Sequence, residues 1–241
     1  LQSLEWVYEQ RQQYNIAAVN MSLGGGKFEE PCDQEHRPYA MAIDLLREAG
    51  IATVIASGNE SYTEAVASPG CISRAVTVGA SDYHDQVAHF SNSDNQVDLL
   101  APGHDQGQAT AGSGIESSVP GGGYERMPGT SMAAPHVAGA FAALRSVVPD
   151  ASIEQIMAAL RDTGMTIHDG RNGIVTPRIQ LDRALAFLQR EVRPQPTPST
   201  PEPVPEPEPL PEPEPVQVAE PEPVEEPRSE SPPSPNRERN Y

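Results

Sequence analysis

The chain has 241 residues, a formal net charge of −18 and 26 prolines, with 37% hydrophobic residues. Acidic side chains outnumber basic ones 34 to 16, so no basic patch is available to neutralise phosphates, which disfavours nucleic acid as a partner. No apolar run approaches the roughly 18 residues that a membrane-spanning helix needs.

Leu1, Leu4, Val7, Tyr8 and Arg11 recur at helical spacing and predict a helix at the start of the chain. Residues 16–21 (Ile-Ala-Ala-Val-Asn-Met) form a short apolar run that ends in Ser22-Leu23-Gly24-Gly25, as a buried parallel strand does when it exits into a loop. A helix follows over 38–49, with Pro38 in its first turn and Gly50 as its C-terminal cap. Residues 51–56 are a second strand, running into Ser57-Gly58-Asn59-Glu60. Strand, helix and strand at this spacing make a right-handed βαβ crossover. Residues 74–80 and 97–103 are the third and fourth strands, the latter closing in Pro102-Gly103. A surface hairpin is predicted within the glycine-rich segment 111–123.

Thr130 and Ser131 are good N-cap residues for a helix of small side chains, in which Pro135 is expected to fall in the first turn. Ser152-Ile153-Glu154-Gln155 matches a capping box, and a last helix is expected near 180–190. The fold class is α/β, a parallel sheet flanked by helices. Residues 194–241 differ sharply: they hold 17 of the 26 prolines, mostly in Pro-Glu repeats, and a net charge of −8. Such a composition cannot bury a core and favours an extended, disordered tail, with a reach of roughly 130 Å at about 3.1 Å per residue. A passive spacer, a stalk through a cell envelope and a docking segment for a Pro-binding module are all compatible with it.

Gly129-Thr130-Ser131-Met132-Ala133-Ala134-Pro135-His136-Val137-Ala138-Gly139 resembles the nucleophile motif of the subtilisin-like serine peptidases. Taken as residues alone, it also reads as an ordinary capped, buried helix. The resemblance spans about residues 1–190, and it implies a Ser131 nucleophile acting on a polypeptide substrate, with no cofactor needed for the chemistry. Ser22, Leu23 and Gly24 resemble the strand edge that forms one wall of the family's substrate pocket. Ala56, Ser57 and Gly58 resemble the second wall. Asn59 resembles the side-chain donor of the oxyanion hole, although a turn-former after Gly58 is the plain alternative. Ser68-Pro69-Gly70, Phe90-Ser91-Asn92, Ala101-Pro102-Gly103 and Asn172-Gly173 are further landmarks.

Serine catalysis of this type needs a histidine base and an acid that orients it. The family's His-Gly-Thr-His motif does not occur here, no Asp-x-Gly stands upstream of one, and none of His36, His84, His89, His104, His136 and His168 has the context of the base. His136 is expected to point away from the Ser131 hydroxyl. The expectation is that the chain begins mid-domain, that the Asp and His lie upstream, and that the chain alone is inactive. The alternatives are a catalytically dead peptide-binding homologue and an envelope protein whose tail is the working part. The resemblance also implies a secreted or envelope setting and a disulfide between Cys32 and Cys71, with two free thiols as the alternative. It further implies a structural calcium held by Asp98 with backbone carbonyls near Pro69 and Cys71, against a solvated strand-end Asp98.

Overall fold

The structure, a computed structural model, describes residues 1–104 and 114–191. The Pro/Glu-rich segment expected over 194–241 lies outside them. In chain order the elements are α1 (Gln2–Tyr14), β1 (Ala18–Met21), β2 (Gly25–Phe28), α2 (Arg37–Glu48), β3 (Ala52–Ala56), β4 (Val66–Ser68), β5 (Val76–Ser81) and β6 (Leu99–Pro102). They continue with β7 (Ile115–Ser118), β8 (Tyr124–Met127), α3 (Thr130–Val147), α4 (Ile153–Asp162), β9 (Met165–His168), β10 (Val175–Arg178) and α5 (Leu181–Glu191).

The main sheet has the order β1-β3-β5-β6-β10-β9. Every neighbouring pair is parallel except β10 with β9. Its central strands read as continuous apolar runs because both faces are covered. The strand period of two divides them cleanly. Ala52, Val54, Ala56, Val76, Val78, Ala80, Leu99 and Ala101 join the core beneath α3, α4 and α5. Ile55 and Leu100 join the opposite core, with Leu4 of α1 and Ile43 and Leu46 of α2. The alanines on the first face let α3 lie close to the sheet, where Ala133, Ala134, Val137, Ala140, Phe141 and Leu144 are buried.

Local signals explain the element ends. Gly50 adopts φ +78°, and the N–H groups of Gly50 and Ile51 donate to Arg47 O and Leu46 O. That Schellman closure terminates α2. The expected capping box opens α4: Gln155 N–H donates to Ser152 Oγ, and Ser152 N–H donates to Gln155 Oε1 at 2.8 Å. Cys32 and Cys71 form a disulfide, with their Cα atoms 5.4 Å apart.

Some expectations are corrected. The hairpin is β7–β8: its first strand lies inside the predicted segment 111–123 and its second ends four residues beyond it. The short strands β2, β4, β9 and β10 were not anticipated. Gly129, not Thr130 or Ser131, is the N-cap of α3, and Pro135 lies inside the helix rather than in its first turn.

Candidate active site

β1 and β3 are parallel neighbours with Met21 in register with Ile55. Ser22–Gly24 and Ala56–Gly58 therefore leave the sheet side by side, at the carboxyl ends of adjacent strands where α/β sheets open their crevices. β2 then pairs with β4, Gly25 opposite Ser68, and Ala67 N–H donates to Ser57 O at 2.8 Å. The two predicted walls are thus brought together. Ser22, Leu23 and Gly24 are exposed, whereas Ala56, Ser57 and Gly58 are buried and form the inner layer of their wall. Asn59 and Glu60 stand exposed at its lip.

The N-terminus of α3 closes this crevice. The first N–H groups of a helix have no intrahelical acceptor, and here the cap comes from another part of the chain. Asn59 Oδ1 accepts from both Thr130 N–H and Thr130 Oγ1–H at 2.9 Å. The same hydroxyl accepts from Gly58 N–H at 3.3 Å. Because two donors engage Oδ1, the amide orientation of Asn59 is determined. Its Nδ2 group is left as a donor on the Gly129 side, 3.8 Å from where a Cβ at Gly129 would lie.

Pro135 has a consequence for the same site. A proline inside a helix cannot donate to the carbonyl four residues earlier, which is that of Ser131. Ser22 Oγ donates to this carbonyl at 2.6 Å and is itself held by Asn20 Nδ2 at 2.9 Å. The half-buried Ser131 hydroxyl makes a 3.4 Å hydrogen bond to Ser22 O. Beside it lies a cavity of about 330 Å³ lined by Ile115, Glu116, Ser117, Met132, Pro135 and His136. The exposed His136 turns back along the helix, its Nδ1 2.8 Å from Met132 O, and not toward the Ser131 hydroxyl.

The Gly58–Asn59 loop is braced from below by residues whose sequence pattern alone carries no role. Asn92 Oδ1 accepts from Glu60 N–H and Tyr62 N–H. Its Nδ2 donates to Ser57 O and Glu60 Oε2, and its N–H donates to Gly58 O. Gly58 sits at φ +107°, where a Cβ would lie 2.2 Å from Asn92 Nδ2. The β9–β10 turn holds Asn92's segment in turn: Arg171 donates to His89 O and Ser91 O, and Asn172 donates to Ser93 O and Thr63 O. Arg171 is fastened to buried Asp169 at 2.6 Å. Burial works to raise the Asp169 carboxyl, but the Arg171 guanidinium and N–H hold it below its ordinary value. The landmarks Phe90-Ser91-Asn92 and Asn172-Gly173 are visible as patterns, yet only the fold shows that they brace the loop around Gly58.

Asp98, the expected calcium ligand, stands apart from this crevice, just before β6, and faces Arg161 of α4. Among the described residues, no group of three or more His, Cys, Asp or Glu side chains is placed to hold a metal.

The model of the subtilase family (Peptidase_S8) matches residues 1–185. An intracellular serine protease of Paenibacillus polymyxa is 36% identical over 159 residues, covering 64% of this chain and 42% of the relative. A putative subtilase-type proteinase of Schizosaccharomyces pombe, named for the sexual differentiation process, is 37% identical over 150 residues, covering 62% of this chain and 28% of the relative. Among solved structures, a protease from Pseudoalteromonas arctica superposes with a TM-score of 0.61 at 29% identity, covering 71% of this chain and 51% of that one. A cold-adapted subtilisin-like serine proteinase superposes at 0.56 with 30% identity, covering 75% and 59%. The chain thus spans less than half the length of these two curated relatives. The helix that presents Ser131, the crevice between two parallel strand ends and the match over residues 1–185 agree, and the chain belongs to the subtilase family.

Proposed function

We propose that this chain carries the nucleophile, a side-chain oxyanion donor and the substrate walls of a serine endopeptidase. Its base and orienting acid come from outside the described residues. The observation that carries this reading is the junction of Asn59, Thr130 and Ser131. Asn59 Oδ1 is committed to Thr130, so its Nδ2 donates toward the place where negative charge develops on a substrate carbonyl. The Ser131 N–H, in the first turn of α3, is a second donor for that charge. In the acyl-transfer step the Ser131 oxygen bonds to the carbonyl carbon, its proton passes to the base, and the amine leaves with a proton returned by that base. The exposed Ser22–Gly24 segment is the edge against which an extended polypeptide lies.

The Ser131 hydroxyl is bonded to Ser22 O and not to an imidazole, so this chain should not turn over peptide. A fluorophosphonate probe tests this: the 241-residue chain stays unlabelled, and the same chain joined to a segment supplying the Asp–His pair is labelled at Ser131. Ser131→Ala removes the label. Ser131-dependent turnover by the chain alone would overturn the reading, as would the absence of labelling in the joined protein. The Cys32–Cys71 disulfide supports an oxidising setting, outside the cell or in its envelope.

A further inference from the structure

The family resemblance implies a structural calcium at Asp98 with the carbonyls near Pro69 and Cys71. Asp98 Oδ2 accepts from Thr77 N–H at 2.9 Å, and Oδ1 accepts from the Arg161 guanidinium. Pro69 O accepts from Ile72 N–H at 3.1 Å, and Cys71 O accepts from Cys32 N–H at 3.0 Å. Gly70 O accepts from the Thr77 hydroxyl at 2.6 Å. Every oxygen of the expected set is thus engaged by a hydrogen-bond donor.

Calcium needs six to eight oxygens at about 2.3–2.6 Å with lone pairs directed at it. It also needs a carboxylate free to face it, and Asp98 here is engaged by a cation. Arg161 contacts it directly, and Arg47 lines the same cleft, bonded to Arg74 O at 3.2 Å and paired with Glu154 at 3.1 Å. With Arg161 bound to Asp98 these residues do not fit the ion; each carbonyl keeps a second lone pair, so the misfit lies in Arg161.

We infer that Arg161 is a built-in cation that takes the place of the structural calcium at Asp98, so that α4 is fastened to the sheet without a metal. Arg161 stands in the last turn of α4, where a positive side chain also suits the helix dipole. Burial pushes the Asp98 carboxyl above its ordinary range even with the Thr77 N–H and Arg161 beside it. Without Arg161 this group would need another cation or a proton.

The test is a calcium chloride titration of the full chain, followed by calorimetry and by thermal melting in EDTA and in calcium. Wild type should show the same melting temperature in both and no binding heat that Asp98→Asn removes. Arg161→Ala should melt lower in EDTA and recover in calcium, and Arg161→Ala combined with Asp98→Asn should not recover. Arg161→Lys should behave as wild type. A calcium-dependent rise in wild type that Asp98→Asn abolishes would overturn the inference, and so would an Arg161→Ala protein indifferent to calcium. The wild-type titration decides the point even where Arg161→Ala does not fold.

Discussion

At the scale of single residues, the site depends on Thr130 more than its neighbours in sequence suggest. Its hydroxyl donates to Asn59 Oδ1 and accepts from Gly58 N–H, and the residue is fully buried. Thr130→Val keeps the shape and removes both functions. It leaves the Gly58 N–H without its acceptor, a loss of about 1–3 kcal/mol for a buried donor. It also releases one of the two donors that fix the Asn59 amide. Urea denaturation should show that destabilisation, and the joined, active protein should lose kcat with KM nearly unchanged. A Thr130→Val protein with unchanged kcat would show that the Asn59 orientation does not depend on this hydroxyl. None of this is legible in local sequence. Thr130 reads as a self-capping residue, whereas its partner lies 71 positions away, and a cap supplied across the fold leaves no spacing to recognise. Asn59 itself was legible only because its neighbours matched a known pattern.

At the scale of elements, α3 combines a helix-breaking residue with a compensating contact. Pro135 deprives the Ser131 carbonyl of its helical donor, and Ser22 Oγ supplies another at 2.6 Å. The helix start is thereby tied to the end of β1, the segment proposed as one of the substrate walls. Ser22→Ala should therefore cost about 1 kcal/mol in the native background. It should cost less when Pro135→Ala restores an N–H to that carbonyl. A double-mutant cycle by urea denaturation measures the coupling, expected at roughly 0.5–3 kcal/mol for residues sharing one partner. Additive effects would mean that the Ser22 contact does not replace the lost helical bond. The strong elements were readable because pattern and outcome agree. The runs at 16–21 and 51–56 are apolar and end at glycine, and α2 buries Ala40, Ile43 and Leu46 at spacings of three. The weak ones were not readable. β2 is Gly-Gly-Lys-Phe with little burial, and β10 contains Pro177, a residue that argues against a strand flanked on both sides. Pairing with β6 and β9 creates β10 in spite of its sequence.

At the scale of the whole molecule, the described residues leave two surfaces of one kind uncovered. β1 lies at the end of the sheet and pairs with β3 alone, so its outer row of backbone groups faces outward, a template for further strand pairing. Next to it, α3 packs on β1 and β3 with one side and exposes Pro135, His136, Gly139, Ala142, Ala143 and Val147 on the other. An amphipathic surface helix shows polar residues on that side, and this one is almost entirely small or apolar. An exposed apolar face beside an open edge is where association starts. The chain of 241 residues should therefore associate with itself as its concentration rises, as sedimentation velocity can measure. A single charge placed on the face, Ala143→Glu, should shift the distribution toward monomer without changing the far-UV circular dichroism. Joining the chain to the segment that supplies the Asp–His pair should suppress association as well, if that segment covers β1 and α3. Monomer at all concentrations would show that the edge and the helix face are protected by some part of the chain beyond the described residues. Association insensitive to Ala143→Glu, but reduced when Asn20 in β1 is replaced by Lys, would assign it to the strand edge alone.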